Sequence, residues 1–280
     1  MFKTVFSVGL NLLSFFLKGC SLPDGMKSGY KIEKGEVVIY TGFPAQRMVI
    51  EVADADTFEA LNKDYGKDGK HVFLLGKVIP NADPATFRLL GGSYSKDKNH
   101  GYTRDVIVSD DAANFTIVPN RNETASNVTA EGIVYARDSH FVYEGVLKIE
   151  RADPTTFEFI PMFNGYYVCR DKKTVYWQHK PLEGTDGQSF VKITELYFKD
   201  KNHAWALILG REVTWSIVPN ADAATFIGLK KAYSKDKKNV YYETRIVEGA
   251  DPETFEETEN NGGKDKNGNY QSGVPVPTKN

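Results

Sequence analysis

Cysteine is nearly absent from this chain: Cys20 and Cys169 are the two among 280 residues. Two thiols exclude a disulfide framework and any zinc spacing. Cys169 lies in a strand-like run, 166–170, and reads as buried apolar filler. An excess of either charge is missing too. Thirty-five Lys and Arg against 37 Asp and Glu leave a net charge of −2, with the signs interspersed. That is no nucleic-acid footprint, which would be a basic patch or stripe. No apolar run is long enough to span a bilayer; the clearest, residues 5–17, is interrupted by Gly9, Asn11 and Ser14. Gly-x-Ser-x-Gly, phosphate-loop, dinucleotide and His-Glu-x-x-His patterns are all missing. No catalytic residue, cofactor or metal site is therefore expected.

What the chain has is self-similarity, and a period of 20–50 residues decides the fold before any single motif does. Two half-motifs alternate. The first is Asp, two residues, a small polar residue, then Phe: it starts at Asp54, Asp83, Asp111, Asp153, Asp186, Asp222 and Asp251 and ends at Phe58, Phe87, Phe115, Phe157, Phe190, Phe226 and Phe255. The second is an Asp followed five residues later by a ring: Asp68/Phe73, Asp97/Tyr102, Asp138/Tyr143, Asp171/Tyr176, Asp200/Trp205, Asp236/Tyr241 and Asp265/Tyr270. Another ring usually stands three residues before that Asp: Tyr65, Tyr94, Tyr135, Tyr197 and Tyr233, with Val168 and Gly262 departing.

Each half has a physical reading. Asp followed by Pro, as in Asp83-Pro84, Asp153-Pro154 and Asp251-Pro252, suits a helix N-cap and first turn, so the first half predicts a short capped helical turn over a Phe anchor. Asp-Lys-Asn between runs of Tyr, Val and Ile predicts a hairpin turn. A turn centred one residue after the Asp would set the rings at minus three and plus five opposite one another. The residue at plus four (Val72, Gly101, Val142, Val175, Ala204, Val240, Asn269) would then face the other way. The turn lysines predict a charged, solvated row that discourages edge-to-edge pairing.

Residues 1–20 stand apart as a signal-peptide pattern: Lys3, an apolar stretch, then Leu17-Lys18-Gly19-Cys20. The last four resemble a lipoprotein cleavage box with Cys20 as the lipid-carrying residue; Lys18 departs from the small residue usual there. Residues 21–29 read as a tether, and 30–40 as a degenerate leading hairpin around Glu33-Lys34-Gly35. The polar insertion 119–132 reads as a long exposed loop. It holds Asn122 and Asn127 which, with Asn114, match glycosylation acceptors. The tail 271–280 reads as loose.

Ala82-Asp83-Pro84-Ala85-Thr86-Phe87 with Tyr94-Ser95-Lys96-Asp97-Lys98-Asn99 and Tyr102, and the matching 221–226 with 233–242, resemble the DKNYY repeat family of bacterial proteins; 152–157 and 250–255 support the likeness. The resemblance covers residues 30–270. It implies an architecture and carries no catalytic residues. Locally, Ser95-x-Asp97-x-Asn99 with Tyr102, and Ser234-x-Asp236 with Tyr241, resemble the Asp-box hairpin of sialidases, a folding motif remote from chemistry.

The expected fold is all-β: seven or eight hairpin units of about 29–40 residues with short capped helical turns, forming an open twisted meander or solenoid-like array. Units so short are expected to hold two or three strands; the alternative is a closed propeller-like form. The residues expected to carry the repeat are Asp83, Phe87, Asp97, Tyr102, Asp153, Phe157, Asp222, Phe226, Asp236, Tyr241, Asp251 and Phe255. The expected function is a non-enzymatic lipoprotein of the bacterial cell envelope, held to the membrane through Cys20, whose repeat surface binds a protein or glycan. The alternative is an extracytoplasmic glycan-active enzyme, for which Arg211 and Glu212 are the nearest out-of-register candidates. His71, His100, His140 and His203 fall in register near the turns and read as structural.

Overall fold

A computed structural model describes residues 27–119, 134–161 and 167–277. The signal-like segment with Cys20, most of the tether and the insertion with Asn122 and Asn127 lie outside the described residues. Every regular element among the described residues is a β-strand, and none of their helices is long and apolar enough to cross a membrane.

The chain divides into two compact units, residues 1–78 and 79–280. The first holds a three-stranded sheet, β1 (Gly29–Glu33), β2 (Glu36–Thr41) and β3 (Gln46–Val49), and a four-stranded one, β4 (Glu59–Ala60), β5 (Tyr65–Lys67), β6 (Val72–Leu74) and β7 (Lys77–Val78). The second holds six four-stranded sheets, opening with β8 (Arg88–Gly91), β9 (Tyr94–Lys96), β10 (Gly101–Thr103) and β11 (Val106–Ser109). Every sheet is an antiparallel meander in chain order and none closes on itself.

The all-β repeat is as expected, and three details differ. Each of the seven repeats carries four strands rather than two or three, and the leading hairpin gains a third. The outer strands are two to five residues long, too short to register as alternating apolar runs. Second, the Asp-x-x-Thr-Phe half, expected as one short helical or 3₁₀ turn, is a single hydrogen-bonded turn with no helical segment. Thr86 N and Phe87 N both donate to Asp83 O, at 3.3 and 2.9 Å, and the chain then leaves directly into β8. Third, the tail contributes Val274–Val276, which pairs with Gly268–Gln271 as the last strand of the last sheet.

The hairpin register also differs from expectation. Asp97 N donates to His100 O at 3.0 Å, closing a four-residue loop, and Lys96 pairs with Gly101. Tyr102 therefore opposes Ser95, and Tyr94 opposes Thr103. A half-residue shift of the turn centre moves the register by one and turns the two rings to opposite faces. The ring at plus five packs on its own unit's Phe anchor. The ring at minus three packs on the anchor of the next unit. Phe115 thus sits between Tyr94 (6.0 Å between centroids) and Tyr143 (5.8 Å), and Phe157 between Tyr135 (5.5 Å) and Tyr176 (5.6 Å). Phe226 and Phe255 repeat the arrangement. In the first unit Phe58 lies between Tyr30 and Phe73. Such pairs contribute about 0.5–1.5 kcal/mol each beyond the apolar area they bury. The plus-four residue meets the next anchor as well: a Cβ on Gly101 would come within 2.4 Å of the Phe115 ring.

Candidate functional site

The second Asp of each repeat is where polar groups converge. Asp97 is 3% exposed and accepts four hydrogen bonds. One oxygen takes the turn amides of Asn99 (2.7 Å) and His100 (2.8 Å); the other takes the amide of Asp83 and the Tyr102 hydroxyl, both at 2.8 Å. Burial alone would raise its pKa, but these donors outweigh it and hold the carboxyl below its ordinary value. Burial and the neighbouring carboxylate push the Tyr102 hydroxyl upward in return. Asp171 and Asp236 repeat the arrangement, and Trp205 Nε1 replaces the hydroxyl at Asp200, at 3.0 Å. Asp68 faces Phe73 and has no hydroxyl to accept from.

The small polar residue before each Phe has its own task. Thr86 Oγ1 accepts from Lys98 N at 3.0 Å, and Ser189 Oγ from Lys201 N at 2.9 Å, tying turn to hairpin. The turn lysines are not a free charged row. Lys98, Lys201, Lys237 and Lys266 pair with Asp83, Asp186, Asp222 and Asp251 at 2.7–2.9 Å. The Lys98 ammonium is the main reason the Asp83 carboxyl is held low. The histidines at plus three use their backbone amides on the same Asp and pack against the plus-five ring, His71 tilted on Phe73 and His100 and His203 edge-on to Tyr102 and Trp205.

Two further sets of residues join successive units and were not read from the sequence. The minus-three hydroxyl reaches the next unit's last turn: Gly145 N donates to Tyr94 Oη at 2.7 Å, and Gly273 N to Tyr233 Oη at 2.8 Å. The basic residue just before each second Asp donates to backbone around the next Phe. Lys96 Nζ reaches Ala112 O and Phe115 O, Arg170 reaches Phe190 O, and Lys199 reaches Phe226 O. The signal was present as a basic residue just before the second Asp in all seven repeats: Lys67, Lys96, Arg137, Arg170, Lys199, Lys235 and Lys264.

The third repeat departs and gathers the densest set of titratable side chains. Ser109 Oγ takes the amide's place on Asp138, donating at 2.6 Å, and Asp111 N donates to that Ser109 oxygen at 3.1 Å. Ser139 Oγ donates to Asp111 at 2.5 Å and lies 2.8 Å from His140 Nδ1. The Ser139 hydroxyl, more than any other partner, lowers Asp111 to about 2. One oxygen each from Asp111 and Asp138 and one nitrogen of His140 lie within 4.8 Å of one another. The donor set does not fit a metal, because Asp138 already accepts from Ser109, His140 N, Phe141 N and Tyr143 and has no lone pair to spare. Ser139 Oγ stands within hydrogen-bond reach of both the Asp111 carboxylate and the His140 ring.

Cys169 is 1% exposed and burial pushes its thiol up, away from the reactive thiolate. Arg211 and Glu212 are exposed at the tip of the hairpin between Ala204–Leu209 and Val213–Ile217. Trp215 on that hairpin packs on Phe198 at 4.8 Å and on Trp177 at 5.8 Å. A cleft of about 200 Å³ lined by Glu158, Arg170, Asp171 and Gly187 is bridged by the Arg170–Glu158 ion pair at 2.8 Å.

A model of the DKNYY family matches residues 24–106, 92–208 and 135–274 of the chain. No curated protein and no solved structure matches it.

Proposed function

The chain belongs to the DKNYY family, and we propose that it is a non-enzymatic, lipid-anchored protein of the bacterial cell envelope whose repeat surface binds a protein or glycan. The reading is supported most by where apolar side chains stand exposed. They recur on the outer strands of four sheets: Val106 and Ile107, Leu147, Val191, Ile227 and Ile246. Single exposed apolar residues need no explanation. Exposed apolar residues on these outer strands, the last strand for Val106, Ile107, Leu147 and Ile246 and the first for Val191 and Ile227, form a recurring surface of the kind repeat proteins use for partners. The repeat aspartates are meanwhile committed to internal bonds and the repeat rings are buried, so a partner would meet strand edges and aliphatic side chains rather than a cluster of free acids. The segment 1–20 with its box at Cys20 supplies the anchor and the compartment.

Chemical crosslinking in whole envelopes, followed by capture, tests this reading. A defined partner is expected with the native chain and is lost when Ile107, Ile227 and Ile246 are changed together to Lys. Recovery of nothing above background counts against it. The rival reading, a glycan-active enzyme, rests on the convergence of Asp111, Ser139 and His140. Turnover in a glycan-substrate screen that Asp111→Asn abolishes would favour it.

A further inference from the structure

The first sheet has one end that differs from the other. β1 begins at Gly29, which pairs with Tyr40, so the chain enters at the end where β2 turns into β3. That turn, Thr41-Gly42-Phe43-Pro44-Ala45-Gln46, carries no charge. Phe43 at its tip is 86% exposed, more than any other exposed large apolar residue among the described residues. The charged groups near this end are Lys27, whose ammonium lies 5.1 Å over the Tyr40 ring, Glu33, whose carboxylate accepts from the Tyr40 hydroxyl at 2.8 Å, and exposed Lys63 beside half-buried Asp64. A concavity of about 430 Å³ between Ser28, Gly42, Lys63 and Asp64 opens there. The opposite end carries the Glu33/Glu36 pair across the Lys34-Gly35 turn, and Glu51 just past β3.

Eight residues, 21–28, separate Cys20 from Gly29. Fully extended they reach about 30 Å. A lipid on Cys20 would therefore keep this end of the sheet within that distance of the bilayer. A bare ring at the tip of an uncharged turn is the chemistry of a headgroup boundary, where aromatic side chains are favoured. We propose that the β2–β3 turn is the membrane-facing foot of the chain, with Phe43 seated among the headgroups of the lipid surface that carries the anchor. The proposal rests on the lipid-anchor reading of Cys20. It fixes which end of the first sheet lies on the membrane and sends Ile32, three residues along β1 from Gly29, about 10 Å away from it.

The full lipidated chain, reconstituted in phosphatidylethanolamine–phosphatidylglycerol vesicles, tests it. A nitroxide is placed at Gln46→Cys on the foot or at Ile32→Cys at the far end. Cys169 is buried and does not compete for the label. The Gln46 label is expected to be at least threefold less accessible to a water-soluble nickel quencher than the Ile32 label. Adding Phe43→Ser should bring the two close to equal. Equal accessibility in vesicle-bound protein overturns the foot while leaving the anchor intact. Protection that survives Phe43→Ser overturns the role of the ring. A chain that takes up no fatty acid at Cys20 and stays off the vesicles overturns the anchor, and the foot with it. Circular dichroism of each variant confirms that the sheets are retained.

Discussion

Asp97→Asn should be among the most damaging near-isosteric changes in the chain. The carboxylate accepts four bonds at 2.7–2.8 Å, from Asn99 N, His100 N, Asp83 N and Tyr102 Oη. An amide has one oxygen. If that oxygen stays on the turn amides, its NH₂ faces the Asp83 amide and the Tyr102 hydroxyl, two donors left without an acceptor. A bond to a charged acceptor contributes about 1.5–3 kcal/mol, and stranding a buried donor costs a similar amount. Losing two gives a destabilisation of about 3–6 kcal/mol, a large share of a stability that is typically only about 5–15 kcal/mol. Urea unfolding followed by near-ultraviolet circular dichroism measures it, with exposed Asp105→Asn as a control expected within about 0.5 kcal/mol of the parent. Asp68 supplies an internal comparison. It has no hydroxyl partner, one bond fewer is broken, and Asp68→Asn should cost about half as much. A double-mutant cycle of Asp97→Asn with Tyr102→Phe should show a coupling of about 1–2 kcal/mol. A loss below about 1 kcal/mol for Asp97→Asn, or equal losses at Asp97 and Asp68, would refute the reasoning.

Phe115→Ala should cost about 3–5 kcal/mol, because it empties the space between Tyr94 and Tyr143 and uncouples two units at once; thermal unfolding followed by calorimetry measures it. Gly101→Ala places a Cβ within 2.4 Å of the Phe115 ring on a backbone with no positive φ, so the damage is overpacking of about 1–3 kcal/mol, visible in the same assay. Acid should unfold the chain. The carboxyls of Asp68, Asp97, Asp138 and Asp236 are lowered in the fold, and Asp111 and Asp251 stand at about 2. Their stabilisation is complete above the unfolded value of about 3.9 and is lost as pH falls through the folded values, which a circular-dichroism titration from pH 5 to pH 1.5 follows. At the other extreme, the Tyr241 and Tyr270 hydroxyls are raised to about 12, so the stability they add is present below pH 10 and fades as pH rises through 12, which ultraviolet phenolate titration detects.

The repeat was legible because its physics is local. Asp, Thr, Phe, Asp and Tyr keep their spacing since one turn, one hairpin and one carboxylate knot must close on each other, and that fixes the all-β class. The register was not legible. Whether the hairpin loop holds three residues or four depends on Asp97 accepting from Asn99 and His100 together, and that half-residue decides which neighbour each ring meets. The outer strands escaped notice because two residues, as in Thr116–Ile117, carry no period. Their tight turns use left-handed residues such as Arg104 and Gln178 in place of an Asn-Gly signature. At the third repeat the departure Asp110-Asp111-Ala112-Ala113-Asn114 was visible, but Ser109 standing in for a backbone amide on Asp138 follows only from the folded geometry. The lysine at position 96 illustrates the same limit: its donation to Phe115 O spans 19 residues.

The central claim is that the repeat carboxylates are filled by donors from the chain itself and serve to lock the Asp-x-x-Thr-Phe turn onto the hairpin of each repeat. Carboxyl-carbon NMR titration of Asp97, Asp138 and Asp236, with and without calcium, zinc and envelope glycans, tests it most directly. The account predicts midpoints below the ordinary aspartate value of about 3.9 and no change on any addition. Midpoints at or above that value, or a shift on adding an ion or glycan, would contradict it and reopen these acids as a binding or catalytic site.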